Sequence, residues 1–230
     1  MDFQQEKYAK GATGYDERIR KTFPFYETIH TAINAVLRVY LGPESELLIV
    51  AAGTGAEILE FGNTNPGWCF LGVDPAQPML DLAKEKIQAA GLGERVSLFK
   101  GYVDDLPTDK LYDGATVAMV LHFVPDDGGK LKLLCEVARR LKSGAPLVLM
   151  DAQGDLSAPE SKLLLEGWKH QQNLAGAKWE DVQTGMKERI KMIHLVSSSR
   201  IERLLTDAGF HRIQRFFQNF MVGGWIAFKA

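Results

Sequence analysis

The chain has 230 residues, 27 Lys and Arg against 29 Asp and Glu for a net charge of -2, 46% hydrophobic residues and an isoelectric point near 6.2. These values suit one globular α/β domain with a sizeable core. They give no global attraction for nucleic acid or an anionic membrane, so membrane is not expected, and nucleic acid is a minority expectation that only a local basic patch would serve. Cys69 and Cys135 lack metal-ligand spacing and read as small buried hydrophobes, so no metal is expected. The opening M-D-F-Q-Q-E-K-Y has no apolar signal core and no apolar run reaches membrane-spanning length, which makes the cytoplasm the expected compartment.

In chain order, a first helix is predicted near Tyr15 to Lys21. A second falls within Thr22 to Tyr40, where Pro24 is followed by Phe25, Ile29, Ile33, Val36, Leu37 and Tyr40 near helical spacing. The stretch from Glu46 to Gly55, E-L-L-I-V-A-A-G-T-G, reads as a buried strand, Leu47 to Val50, running into a glycine turn and a helix that continues to Phe61. Strand Trp68 to Val73, helix Gln77 to Ala90, strands Val96 to Lys100 and Gly114 to Leu121, helix Lys130 to Leu141 and strand Pro146 to Met150 follow. That alternation predicts a parallel, doubly wound sheet.

From Ala152 to Val196 the chain turns helical and polar, with Trp168 and Trp179 among Lys, Gln and Glu. This predicts a lid over the carboxyl edge of the sheet. A helix near Ser198 to Ala208 leads to strands His211 to Gln218 and Met221 to Lys229, whose short connection at Asn219 and Phe220 demands antiparallel pairing. The expected organisation is N-terminal helices over 1–45, a cofactor-binding core over 46–151, the lid over 152–196, and a last helix and hairpin over 197–230.

The turn between Val50 and Ala56 offers glycine backbone and free helix N–H groups to a nucleotide-like cofactor. Asp74, about 20 positions on, suits both hydroxyls of a ribose, a signature that fits NAD or S-adenosylmethionine. The dinucleotide fingerprint G-x-G-x-x-G/A fails, because Ile58 occupies its third position when counted from Gly53, and counting from Ala51 lacks the first glycine. As a bland reading, Asp74 before P-A-Q-P also suits a helix N-cap.

In order and spacing, A-A-G-T-G, L-G-V-D-P-A-Q-P-M-L, F-K-G-Y-V-D-D-L-P, Y-D-G-A-T-V-A-M-V-L-H-F-V-P-D-D and R-R-L-K-S-G-A-P-L-V-L-M-D resemble the class I S-adenosylmethionine-dependent methyltransferases over nearly the whole chain. The resemblance implies a Rossmann-like seven-stranded sheet with an antiparallel last strand, S-adenosylmethionine as cofactor and a small-molecule acceptor, with a homodimer left open. The residues expected to bind the cofactor are Tyr26, Ala51, Ala52, Gly53, Gly55, Asp74, Pro75, Met79, Val103, Asp104 and Val120. For Tyr26, a core role at helical spacing is as good a reading.

Within that class, Y-D-E-R-I, P-F-Y and the C-terminal A-G-F-H-R-I-Q-R-F-F-Q-N-F-M-V-G-G-W-I-A-F-K are similar to the carboxy-S-adenosylmethionine synthases of tRNA wobble-uridine modification. Those enzymes grip the extra carboxylate with an arginine, for which Lys187 or Arg189 stands here. The chain departs from the family at several points. Ile49 replaces a common acid, Ala51 the first glycine and Tyr102 a common Asp, leaving adenine to Asp104 or the Val103 backbone. Ala118 replaces the synthases' Asn.

Methyl transfer from a sulfonium is an in-line displacement that needs alignment in a dry pocket more than acid-base machinery. A protonated acceptor is helped by a general base, and His122, at the end of the fourth strand, is the candidate, with loop orientation or cofactor contact as its bland alternative. Trp168, Trp179, His170 and His194 are available to an acceptor pocket but read first as structural. The run Arg139 to Lys142 complements a helix dipole. The favoured reading is a small-molecule methyltransferase. The alternatives are a carboxy-S-adenosylmethionine synthase or tRNA-modification relative, and a non-catalytic binding protein.

Overall fold

The computed structural model describes residues 14–230, so the reading of the opening segment M-D-F-Q-Q-E-K-Y lies outside the described residues. Among the described residues two helices, α1 (Tyr15–Thr22) and α2 (Tyr26–Leu37), precede the sheet. They are separated at Pro24, whose missing N–H cannot continue the ladder of α1. Helix α2 turns Ile29, His30, Ile33, Asn34 and Leu37 inward, a stripe at three- and four-residue spacing.

Alternation then runs through β1 (Glu46–Val50), α3 (Ala56–Thr64), β2 (Cys69–Asp74), α4 (Gln77–Ala89), β3 (Val96–Lys100), β4 (Gly114–Ala118), α5 (Gly129–Ala138) and β5 (Pro146–Ala152). Helices α6 (Pro159–Leu174), α7 (Trp179–Ile190) and α8 (Ser198–Asp207) precede strands β6 (Phe210–Asn219) and β7 (Val222–Lys229). The seven strands lie in the order β3-β2-β1-β4-β5-β7-β6. Strands β1 to β5 are parallel, and β7 runs antiparallel to both β5 and β6. Pairing of Asn219 with Val222 puts the hairpin turn at Phe220 and Met221, one residue later than the sequence suggests.

Side chains alternate across the sheet. Leu47, Ile49 and Phe70 pack with α2, α3 and α4 on one face, whereas Leu48, Val50 and Val73 share the other with α5 and α8. Because both faces are covered, β4 and β5 are buried along their whole length. Chain order reverses between β1 and β4, so a crevice opens at their carboxyl ends.

Three local features shape that crevice. Strand β4 stops at Ala118, short of the expected Leu121: Met119 has φ of 55°, its N–H bonds the Met150 carbonyl at 2.7 Å, and a 3-10 turn occupies Leu121–Phe123. Close approach of α3 to the sheet is provided from the strand side. A Cβ on Gly72 of β2 would lie 2.9 Å from Ile58 Cδ1, so glycine in the strand makes room for isoleucine in the helix. Arg95 then secures the far end of α3, donating from Nη1 to the carbonyls of Asn65 (3.1 Å) and Trp68 (2.9 Å) and from Nη2 to that of Gly62 (2.9 Å).

The basic run at the end of α5 does more than complement a dipole. Arg140 is buried, bonds the Glu136 carboxylate at 2.9 Å and donates to the Leu106 carbonyl, fastening the β3–β4 connection; Arg139 stays at the surface. Cys69 and Cys135 are free thiols, and among the described residues no helix is long and apolar enough to cross a membrane.

Candidate functional site

A cavity of about 380 Å³ occupies the crevice, a size within the range of small-molecule sites. Its floor is the β1–α3 turn, with Ala51, Ala52, Gly53, Thr54, Ala56 and Glu57. Asp74, Pro75, Ala76 and Met79 form one wall; Ala118, Met119, Val120, Phe123, Val124 and Pro125 form the opposite one. Tyr15, Ile19, Phe23, Tyr26 and His30 of the N-terminal helices and their linker cover it, with Tyr102 and His194 at its margin. Ala51 (φ 58°) and Met119 (φ 55°) are non-glycine residues in the left-handed region, and both line the cavity. Two of the four such residues among those described, the others being Arg212 and Phe220 in the final hairpin, thus sit where β1 and β4 release their chains.

Asp74 organises the floor. One carboxylate oxygen accepts from the Gly53 N–H at 2.9 Å and the other from the Ala76 N–H at 2.8 Å, so one side chain ties the glycine turn to the start of α4. Burial pushes its carboxyl above the ordinary value, and the two N–H bonds oppose that rise. Each oxygen keeps a further lone pair for a ligand hydroxyl. The N-cap and ligand-binding readings are therefore compatible on one side chain. Burial first, then the charge of Asp74, push the Tyr15 phenol up to about 12 and keep it a neutral donor.

Glu57 and His30 are buried polar groups in the same cavity. Glu57 Oε1 has no hydrogen-bond partner, and burial pushes the carboxyl up to about 7. Neither ring nitrogen of His30 has a hydrogen-bond partner, and burial lowers its pKa to about 4, so the ring is neutral. His30 packs edge-on against Tyr26, with ring centroids 4.5 Å apart.

Of the residues expected to bind a cofactor, Tyr26, Ala51, Ala52, Gly53, Asp74, Pro75, Met79 and Val120 line the cavity, whereas Gly55, Val103 and Asp104 do not. Gly55 faces α4, where a Cβ would lie 3.2 Å from Ala83 Cβ, so its glycine serves packing and a φ of 81°. Val103 is buried in the core beneath the loop, and Asp104 is drawn away by Lys132 at 2.7 Å. Tyr102 is the residue of that loop that reaches the cavity.

His122 is not among the lining residues either. It sits buried in the turn after β4, its Nδ1 bonded to the Asp151 carboxylate of β5 and its carbonyl accepting from the His194 N–H at 2.7 Å. Buried Lys130 donates to the neighbouring Leu121 carbonyl at 2.7 Å. These bonds fix Phe123 and His194, which do line the cavity, and His122 acts here as a positioning residue.

The segment over 152–196 contributes His194 to the cavity. Trp168 instead packs on Phe23 with centroids 5.0 Å apart, and Trp179 stacks on His170 at 4.7 Å. Arg189 lies over the rings of Phe23 and Trp168. Among the lining residues that sequence reasoning passed over, Tyr15, Ile19, Phe23, His30, Glu57 and Phe123 sit on elements whose inward faces depend on tertiary packing.

These residues fit S-adenosylmethionine. The paired lone pairs on Asp74 match a ribose diol, the glycine turn leaves backbone exposed, and the lining carries the buried carboxyl of Glu57 with no Lys or Arg among the described lining residues. Residues 47–144 match the profile of the methyltransferase domain family. The chain is 24% identical over 221 residues to a carboxy-S-adenosyl-L-methionine synthase of Actinobacillus succinogenes, covering 94% of this chain and 89% of that protein. It is 26% identical to a demethylmenaquinone methyltransferase of Symbiobacterium thermophilum, covering 82% of this chain and 76% of that protein. Among solved structures, an O-methyltransferase family 2 protein of Planctomyces limnophilus in complex with apigenin superimposes with a TM-score of 0.60 at 16% identity, covering 81% of this chain; the chain spans 50% of that structure's length. Fold and domain match agree: residues 47–144 match the methyltransferase domain, and the strand order is that of the Rossmann-like methyltransferase fold.

Proposed function

We propose that the protein transfers the methyl group of S-adenosylmethionine to an apolar, ring-bearing small molecule. The observation that carries this reading is the division of one cavity into two chemistries. Asp74, Gly53 and Glu57 form a polar floor suited to the cofactor, and Ile19, Phe23, Phe123, Val124 and Pro125 form an apolar compartment suited to an acceptor. The curated quinone methyltransferase and the apigenin-bound structure support the acceptor class.

When bound, S-adenosylmethionine supplies an electrophilic methyl group on a sulfonium. The chain's own residues bind, align and dehydrate. Asp74 holds the ribose while it holds the turn, and Phe123 with Phe23 excludes water from the line of displacement. His194 is the cavity's candidate for accepting a proton from an acceptor hydroxyl, and His122 fixes its backbone from below.

Calorimetry with S-adenosylmethionine is the first test. Asp74→Ala should weaken binding by on the order of 1.5 to 3 kcal/mol, the value of charge-assisted hydrogen bonds. Unchanged affinity in a folded variant would refute the assignment of this cavity. A screen of quinols and phenols that follows S-adenosylhomocysteine formation then tests the acceptor class.

A second reading, synthesis of a carboxylated sulfonium, is favoured by the long overlap with the curated synthases. Arg189, the arginine which that reading needs, stands over Phe23 and Trp168 and is not one of the cavity-lining residues. Mass spectrometry of the cofactor that co-purifies distinguishes the two by mass.

A further inference from the structure

Glu57 stands above only as part of the polar floor, and its setting says which part of a ligand it meets. It occupies the first turn of α3 and lines the cavity with Oε1 unpartnered. Thr116 of β4 stands beside it, in the strand position paired with Ile49 of β1. The carboxyl thus reaches from the helix to the level of the sheet where β1 itself offers only a hydrocarbon side chain. The titratable groups that share the cavity from other elements are Tyr15 of α1, Tyr26 and His30 of α2, Asp74 of β2, Tyr102 of the β3–β4 loop and His194; among the described lining residues there is no Lys or Arg. A buried carboxylate with only the Thr116 hydroxyl beside it and one oxygen unpartnered is costly, and a cation delivered by the ligand relieves that cost.

We infer that Glu57 is the anionic receptor for the cationic methionine end of S-adenosylmethionine and loses its proton as that ligand binds. The inference rests on the cofactor site proposed above and adds a residue and a proton to it. A carboxyl pushed up to about 7 in the free protein is largely protonated below that pH. A bound cation favours the carboxylate, so binding releases a proton below about pH 7. Affinity consequently rises with pH and levels off above the free-protein value. His30, lowered to about 4, stays neutral across this range and does not contribute.

The test is titration calorimetry with S-adenosylmethionine between pH 5.5 and 8.5, in pairs of buffers with different ionisation enthalpies so that proton release is counted directly. The wild type should release a proton at pH 6 and not at pH 8.5. Glu57→Gln should bind about tenfold or more weakly at pH 8 and lose that proton release, whereas His194→Gln should keep it. Wild-type affinity and proton count matched by Glu57→Gln would overturn the inference, and so would absence of proton release from the wild type, which decides the matter even if the variant does not fold. If the wild type fails to bind S-adenosylmethionine, the cofactor site itself falls. If Asp74→Ala weakens binding and Glu57→Gln does not, only the role of Glu57 falls.

Discussion

Glu57 and His30 place opposite demands on the unliganded protein. The folded-state pKa of Glu57 is raised from 4.5 to about 7, so its contribution to stability is fully present below pH 4.5 and is lost as pH rises through 7. That of His30 is lowered from 6.5 to about 4, so its contribution is fully present above pH 6.5 and is lost as pH falls through 4. Between about 4.5 and 6.5 the two slopes oppose each other. In calorimetric unfolding without cofactor, the stability of the wild type minus that of Glu57→Gln should decline from pH 4.5 to 7. The corresponding difference for His30→Gln should climb from pH 4 to 6.5. Parallel curves for wild type and either variant would show that the group is not held as described. Neither role was legible in the sequence, for a physical reason. An acid in the first turn of a helix already has an explanation in the dipole, and a histidine in an apolar stripe has one in the core. The place of Asp74 beside the glycine turn was legible because its type and its distance from that turn act together.

At the scale of elements, periodicity carried most of the fold: each strand from β1 to β5 and the final hairpin lie within a few residues of where alternation and turn chemistry place them. Two junctions were not legible. The end of β4 is set by a bond between Met119 and Met150, a partner remote in sequence, which moved His122 from a strand end into a buried turn. The missing third glycine of the nucleotide turn was read as evidence against a dinucleotide fingerprint; the close helix–strand packing that such a glycine serves is supplied here by Gly72 of the neighbouring strand. A methyl group on Gly72 would meet Ile58 Cδ1 and Leu98 Cδ2 at 2.9 Å and Ala52 Cβ at 3.0 Å. Gly72→Ala is therefore expected to cost about 1 to 3 kcal/mol by overpacking. Ile58→Ala should recover part of that cost in the double variant, giving a coupling well outside additivity in denaturant titrations. Additive losses would mean that the strain is relieved elsewhere.

At the scale of the whole molecule, the question is which cover of the cavity opens. The sequence reading assigned that role to 152–196, since polar helices with tryptophans follow β5 at the ligand edge. In the fold those helices are anchored. Buried Trp168 donates from Nε1 to the Thr22 carbonyl at 3.2 Å, Met186 is buried in the same core, and Gly167 lies against the ring of Phe220. Helix α1, by contrast, has no fully buried residue. It is held over the glycine turn through Asp16, which accepts from Thr54 Oγ1 at 2.6 Å and pairs with Lys86 of α4. A cover secured by polar contacts with little buried apolar surface opens at low free energy, whereas a helix seated by a tryptophan follows the core. Binding of S-adenosylmethionine should then slow amide exchange chiefly over 15–30 and 193–197, with little change over 159–190. Asp16→Asn should raise exchange over 15–22 in the free protein, weaken cofactor binding a few-fold and leave 159–190 as before. Protection that instead rises across 159–190 with cofactor would return the role of lid to α6 and α7, and would require Trp168 to leave its place against Phe23 in the open state.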